Sequence, residues 1–189
     1  MKALTTCTLF WILWFNNHIC LKCQERNFRI KLEEFSVKYR VRDLIEHIDF
    51  RIVHLNNRSF VNGEMILKSD VEDILMHTAM DFWKASNKKK LKLYDGRMDA
   101  CKFLRTSHRF GLFNIYVKSF RKHTNANFSC PLKMNYSYTL TNWHMDERDL
   151  PPFVPFGTFR TITEYFTQDR LALRIATQGK VIANKLADV

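Results

Sequence analysis

The stretch FRIKLEEFSVKYRV, residues 28–41, indicates the fold class of this chain. Apolar residues alternate with Arg and Lys over residues 28–32, and the same period of two returns over residues 37–42. Successive side chains of a β-strand point to opposite faces, so this pattern is typical of strands with one buried face. We therefore predict two N-terminal β-strands here.

The alternation continues along most of the remaining chain. It covers the segments 48–55, 60–67, 74–84, 90–94, 134–143, 159–167 and 171–176. Asn56-Asn57-Arg58 and Gln168-Asp169 separate neighbouring strands and are predicted turns. Residues 110–123 instead place apolar side chains at helical spacing, after a short helical turn near residues 99–104. These patterns predict a mainly β protein, an antiparallel β-sandwich or β-cup of about eight strands with one amphipathic helical insert.

The N-terminal residues carry a different pattern. Met1-Lys2 is a short positive start, and residues 3–15 are an uncharged, largely apolar run. Such a run is shorter than the ~20 residues that span a bilayer, but it fits the apolar region of a signal peptide. We predict a signal peptide over residues 1–23, cleaved within several residues of that point, and one secreted domain over residues 24–189. An uncleaved membrane anchor is the alternative.

Glycosylation sequons and cysteines agree with export. N-x-Ser triplets begin at Asn57, Asn127 and Asn135. Of five cysteines, three fall within the predicted signal peptide, which leaves Cys101 and Cys130 as a pair. In an oxidising compartment we expect this pair to form a disulfide rather than two free buried thiols.

The chain is basic, with 30 Lys plus Arg against 19 Asp plus Glu and a formal net charge of +11. The positive residues are spread over strand faces, apart from Lys88–Lys90 and the helix cluster Lys118, Arg121 and Lys122. The aromatic-rich motif of an RNA-binding sheet is missing, so no nucleic acid partner is predicted. The charge fits either a solvated cationic surface or an acidic partner, such as a fatty-acid carboxylate, an anionic headgroup or a sialylated glycan.

Signatures of catalysis are weak. The seven histidines are scattered, and neither a G-x-S-x-G motif nor a phosphate-binding Gly-rich loop occurs in the sequence. His77 and Asp81 are four residues apart, but a strand conformation separates them. We predict a protein that is not an enzyme and that uses no metal and no cofactor.

Aromatic and apolar residues are abundant, with sixteen Phe, six Tyr and four Trp. Either they fill a solid core, or the two sheets are wedged apart around an apolar ligand. Under the second interpretation, the alternation assigns nine inward side chains to the cavity: Phe50, Ile52, Met65, Leu67, Met80, Phe82, Tyr136, Tyr138 and Leu140.

Three segments resemble a known family. They are DACKFL at residues 99–104, SCPL at 129–132, and LPPFVP at 150–155 followed by GTFR at 157–160. Their order and spacing resemble the insect CheA/CheB chemosensory-expressed secreted proteins and their relatives of unknown function. That group is similar in turn to the ganglioside activator and other lipid-recognition β-sandwiches. Many relatives carry further cysteines in the N-terminal strands, where this chain has apolar residues such as Val37 and Ile52.

The resemblance implies a β-cup with an apolar interior and non-enzymatic binding of a hydrophobic small molecule or lipid, in pheromone or taste perception. The sequence also permits an alternative, an extracellular accessory protein with a filled core. Such a protein would contact a membrane receptor or acidic surface through its cationic face.

Overall fold

The computed structural model describes residues 26–84, 86, 89–105, 111–126 and 130–184. The predicted signal peptide, Lys88 and the sequon at Asn127 lie outside the described residues. Within them, no helix is both long enough and apolar enough to cross a bilayer.

The described chain contains eight strands, two α-helices and one 3-10 helix. Their bounds are β1 Phe28–Arg40, β2 Ile45–Leu55, β3 Arg58–Leu67, β4 Leu75–Trp83, β5 Leu91–Asp99, α1 Ala100–Arg105, α2 Gly111–His123, β6 Ser137–Trp143, the 3-10 helix Glu147–Asp149, β7 Gly157–Thr167 and β8 Arg170–Ala183.

These strands form two antiparallel sheets. The larger sheet has the order β1-β8-β7-β4-β5, and the smaller sheet has the order β2-β3-β6. The inner faces of the two sheets pack around a shared apolar core that includes Phe28, Val61 and Trp143. The predicted fold class, a mainly β antiparallel sandwich with a helical insert, is confirmed.

The prediction of two separate N-terminal strands is wrong. Residues 28–40 form the single strand β1, which pairs with β8 along its whole length. Register shifts at Leu32/Glu34 and at Val37/Tyr39 absorb the breaks in the alternation. The 14-residue β8 is long enough to pair with both halves, so no turn is needed between them.

Two tight turns occur where the sequence predicts them. Asn56 and Asn57 have φ of 48° and 61°, and Gln168 and Asp169 have φ of 49° and 58°. Two successive residues with positive φ define the turn whose twist matches a hairpin, and Asn and Asp adopt that backbone more readily than most residues. The turns therefore fix the β2–β3 and β7–β8 hairpins.

Glu147 ties the segment after β6 to both sheets. Its carboxylate, in a residue only 5% exposed, accepts a hydrogen bond from the backbone N–H of Ile30 at 3.2 Å and lies 3.3 Å from Arg58 Nη2. Ile30 is in the larger sheet and Arg58 is in the smaller one. These two donors replace the water molecules that the carboxylate loses when it is buried.

Candidate ligand-binding cavity

A cavity of about 220 Å³ lies between the two sheets. The smaller sheet contributes Phe50 and Met65 to its wall, and the larger sheet contributes Tyr165 and Leu173. Helix α2 closes one side with Tyr116. Most of the lining is apolar, so the cavity favours a molecule with a hydrophobic surface.

The walls are held by packing on all sides. The β2 and β8 side chains Ile45, Ile48 and Leu173 belong to one buried cluster. Val117 on α2 and Phe103 on α1 belong to another, against which both Tyr116 and Tyr165 pack. The cavity therefore lies where two buried clusters of the core meet.

The Cys101–Cys130 disulfide lies in the wall of this cavity, and its two Cα atoms are 5.9 Å apart. Cys101 is in the first turn of α1, and Cys130 precedes the short bridge between Val71 and Leu132. The bond closes a loop of 29 residues that contains α2. The predicted pairing is present, and it fastens the helical side of the cavity to the sheets.

Helix α2 is amphipathic in the predicted sense. Val117 and Ser119 are buried, and the Ser119 hydroxyl donates a hydrogen bond to the His144 carbonyl at 2.5 Å. Tyr116 stacks on Phe120 with ring centroids 6.0 Å apart, and both contact the core. The predicted basic cluster, Lys118, Arg121 and Lys122, is exposed on the other face.

Five of the nine predicted cavity residues line this space: Phe50, Met65, Leu67, Tyr138 and Leu140. They come from β2, β3 and β6, whose inward faces the alternation identified.

The other four lie elsewhere. Met80 and Phe82 line a separate groove of about 650 Å³, and Ile52 packs against the core. These three point inward as expected, but alternation predicts a face and not a position along the sheet. Tyr136 is 42% exposed and outside both spaces. Strand β6 begins only at Ser137, and Asn135 has φ of 56°, so the alternation does not extend back to Tyr136.

Strands β7 and β8 and helix α2 contribute lining residues that the sequence pattern did not predict. Thr163, Tyr165 and Ile175 line the cavity from the larger sheet, and Tyr116 lines it from α2. The alternation along β7 predicts that Thr163 and Tyr165 lie on the same face of the strand. Without the strand order, nothing in the sequence places that face opposite β2 and β3.

The three tyrosines of the cavity differ in their surroundings. Burial raises the pKa of Tyr116 to about 12. Burial also raises the pKa of Tyr165, and the nearby Tyr116 adds a smaller increase. The Tyr138 hydroxyl accepts a hydrogen bond from the backbone N–H of Lys133 at 2.5 Å. Burial raises the pKa of Tyr138 as well. All three phenols are therefore neutral at physiological pH.

The described residues contain no group of three or more His, Cys, Asp or Glu side chains that could hold a metal ion. They do contain a charge network across β4, β5, β7 and β8. His77 Nε2 lies 2.8 Å from Asp95 Oδ1, and His77 Nδ1 lies 3.1 Å from Glu164 Oε2. Glu164 also pairs with Arg174 at 2.6 Å. These partners raise the pKa of His77, with Asp95 the larger cause and Glu164 the second.

The network predicts a pH-dependent stability that His77→Gln removes. Since the folded-state pKa of His77 lies above its ordinary value of 6.5, its stabilising effect is complete below that pH. It is lost as the pH rises through the folded-state pKa. We expect the difference in free energy of unfolding between wild type and variant to be larger at pH 5.5 than at pH 8.5, measured by urea titration.

His47→Gln, at an exposed position on β2, is the matched control for the loss of an imidazole from a strand. An equal difference at both pH values for His77→Gln would show that the imidazolium does not stabilise the fold.

Comparisons with known proteins give one family match and a distant structural likeness. Residues 76–161 match a family described as Protein of unknown function (DUF1091), which is less than half of the chain. The matched segment runs from β4 into β7 and includes both bonded cysteines. No curated protein matches the chain. The expected relationship to the insect CheA/CheB group therefore stays a prediction.

Among solved structures, the chain is similar to chicken MD-1 complexed with lipid IVa. The two sequences are 13% identical, and the alignment covers 85% of this chain and 94% of that one, with a TM-score of 0.29. A TM-score this low carries no argument about function, so the functional proposal depends on the cavity itself.

Proposed function

We propose that this protein is a secreted, non-enzymatic binding protein that holds a lipid-like or hydrophobic ligand in the cavity between its sheets. The observation that carries the proposal is an apolar cavity between the two sheets, lined by side chains of the buried clusters. Protein interiors are normally filled to the density of organic crystals, so a space of this size calls for an explanation. An apolar guest supplies one.

The volume narrows the size of the ligand. About 220 Å³ exceeds the ~150 Å³ of an engineered apolar cavity that binds benzene. It is smaller than the ~300–1,000 Å³ of typical pockets for drug-sized ligands. A molecule with one short apolar chain or ring fits this space better than a lipid with several acyl chains.

Secretion and a chemosensory role complete the proposal. The disulfide supports an oxidising compartment. Asn57 and Asn135 are both exposed, so a glycan on either side chain would extend into solvent. A role in pheromone or taste perception is supported by the sequence resemblance alone.

The alternative, an accessory protein for a membrane receptor, has one supporting observation. The side chain of Phe153 is 91% exposed in the Pro-rich segment before β7, and Phe156 is half exposed. Exposed aromatic side chains in a rigid segment suit a protein contact. That hypothesis assumes a filled core, and the cavity between the sheets is evidence against a filled core.

Binding of a fluorescent apolar probe tests the proposed function. We expect N-phenylnaphthylamine to bind the mature protein at one saturable site and to be displaced by medium-chain alcohols and hydrocarbons. Displacement should leave the circular dichroism of the sheets unchanged, because the cavity is already formed. A linear, non-saturable rise in fluorescence would contradict the proposal.

A further inference from the structure

Two tyrosine hydroxyls in the cavity have no hydrogen-bond partner among the described residues. Tyr116 and Tyr165 both line the cavity, and both are enclosed by the core. In the described part of the chain, two side-chain polar atoms have neither accessible surface nor a hydrogen-bond partner: Arg29 Nε and Trp143 Nε1. The hydroxyls of Tyr116 and Tyr165 are not among them. Each hydroxyl therefore keeps some accessible surface, and both side chains line the cavity.

An unpaired polar group in an apolar interior is unfavourable, by about 1–3 kcal/mol in mutational data. Buried polar groups are almost always satisfied, so two such hydroxyls in one cavity need a partner. Tyr138 in the same cavity shows the contrast, because its hydroxyl already accepts the Lys133 N–H. A molecule inside the cavity would supply the hydrogen-bond partner that Tyr116 and Tyr165 lack.

The described lining of the cavity disfavours charged ligands. Among the described residues that line the cavity, none is Lys, Arg, His, Asp or Glu. The polar side chains that line it there belong to Thr and Tyr residues, including Thr163 and Thr177. Moving a carboxylate or phosphate from water into such a site, with no cation to pair with it, is strongly unfavourable.

We propose that the cavity selects an uncharged apolar molecule with one oxygen function, an alcohol, aldehyde, ketone or ester, which Tyr116 and Tyr165 bind through their hydroxyls. This inference rests on the proposed function and names its ligand class. A phenol donates to a carbonyl oxygen and both donates to and accepts from an alcohol, so the two hydroxyls suit either group. The hydrocarbon part occupies the space between Phe50, Met65 and Leu173.

A series of ten-carbon compounds with the same chain tests this choice. Decane, decanal, decanol and decanoate are each titrated against the mature wild-type protein, Tyr116→Phe, Tyr165→Phe and the double variant. Displacement of N-phenylnaphthylamine is the measurement. Tyr39→Phe, at an exposed position on β1, is the control for a general effect of losing a hydroxyl.

We expect decanal and decanol to bind wild type at least about tenfold more tightly than decanoate at pH 8. Decanoate should gain affinity as the pH falls to 5, because the neutral acid is the form that enters. Loss of one tyrosine hydroxyl should weaken decanal binding about three- to tenfold, the range of one net hydrogen bond. Decane binding should not change in these variants.

The outcomes separate the two levels of the proposal. Equal binding of decanoate and decanol, or no selective loss in the tyrosine variants while decane still binds, would overturn the neutral-ligand inference and leave the carrier function standing. Failure of all four compounds and of the probe to bind would overturn both. Because neither hydroxyl has a protein partner in the described chain, the Phe variants should fold with at least wild-type stability.

Discussion

Thr163→Phe will weaken binding of an apolar probe by at least about tenfold while the protein remains folded. Thr163 lies on the inward face of β7 and lines the cavity, opposite the smaller sheet. A phenyl ring at this position occupies the space that a ligand needs. The ligand and the ring together would overfill the cavity, and overfilling a packed interior is unfavourable by about 1–3 kcal/mol, which is the expected loss of binding free energy. Titration of N-phenylnaphthylamine measures it.

The same substitution should leave stability unchanged or raise it. An empty cavity lowers the free energy of unfolding by about 24 cal/mol per Å³. The phenyl ring fills part of the cavity, and this gain offsets the loss of the contacts that Thr163 makes. The Thr163 hydroxyl lies 3.4 Å from Thr78 Oγ1, which makes at most a weak hydrogen bond. Its removal therefore has little effect on the free energy of unfolding.

Ile162→Phe is the matched control. It adds a ring on the same strand, one residue away, where the side chain points to the opposite face of the sheet. Ile162 does not line the cavity, and we expect its variant to bind the probe as wild type does. Equal binding by Thr163→Phe and wild type would place the ligand outside the cavity between the sheets.

Removal of the disulfide is expected to have the largest effect on stability. The double variant Cys101→Ser/Cys130→Ser should lose about 3–4 kcal/mol of unfolding free energy, because the bond closes a 29-residue loop. Since both cysteines line the cavity and the loop contains α2, the helical wall loses its attachment and ligand affinity should fall as well. Chemical denaturation and probe titration of the same samples measure the two effects.

Wild type under reducing conditions is the control, and it should match the double variant in both measurements. If the oxidised and reduced wild-type proteins unfolded at the same denaturant concentration, the disulfide would not stabilise the fold. Loss of stability without loss of affinity would show that packing alone holds α2 against the cavity.

The strands and their inward faces could be predicted because they depend on local chemistry. The alternation around Phe50 and Met65, and the Asn56-Asn57 turn between their strands, are contained in short stretches of sequence. The same holds for the cysteine pair, which is set by the number of cysteines left after the predicted signal peptide. These features need no knowledge of which strands are neighbours.

The position of the cavity depends on contacts between residues far apart in the chain. Met80 and Met65 both alternate inward, yet one lines the separate groove and the other lines the cavity. Their separation is set by the pairing of β4 with β7 and of β2 with β3, which local patterns do not encode. Tyr116 and Tyr165 meet for the same reason, through the packing of α2 on the larger sheet.

Native mass spectrometry of the protein secreted from insect cells, before and after organic extraction, is the decisive test of a ligand between the sheets. We expect one small neutral apolar molecule bound per chain, lost on extraction and absent from Thr163→Phe but present in Ile162→Phe. The opposite result is a wild-type protein that has the bare mass of the mature chain and its glycans, and that takes up no decane, decanal, decanol or decanoate. Such a protein would not be a carrier.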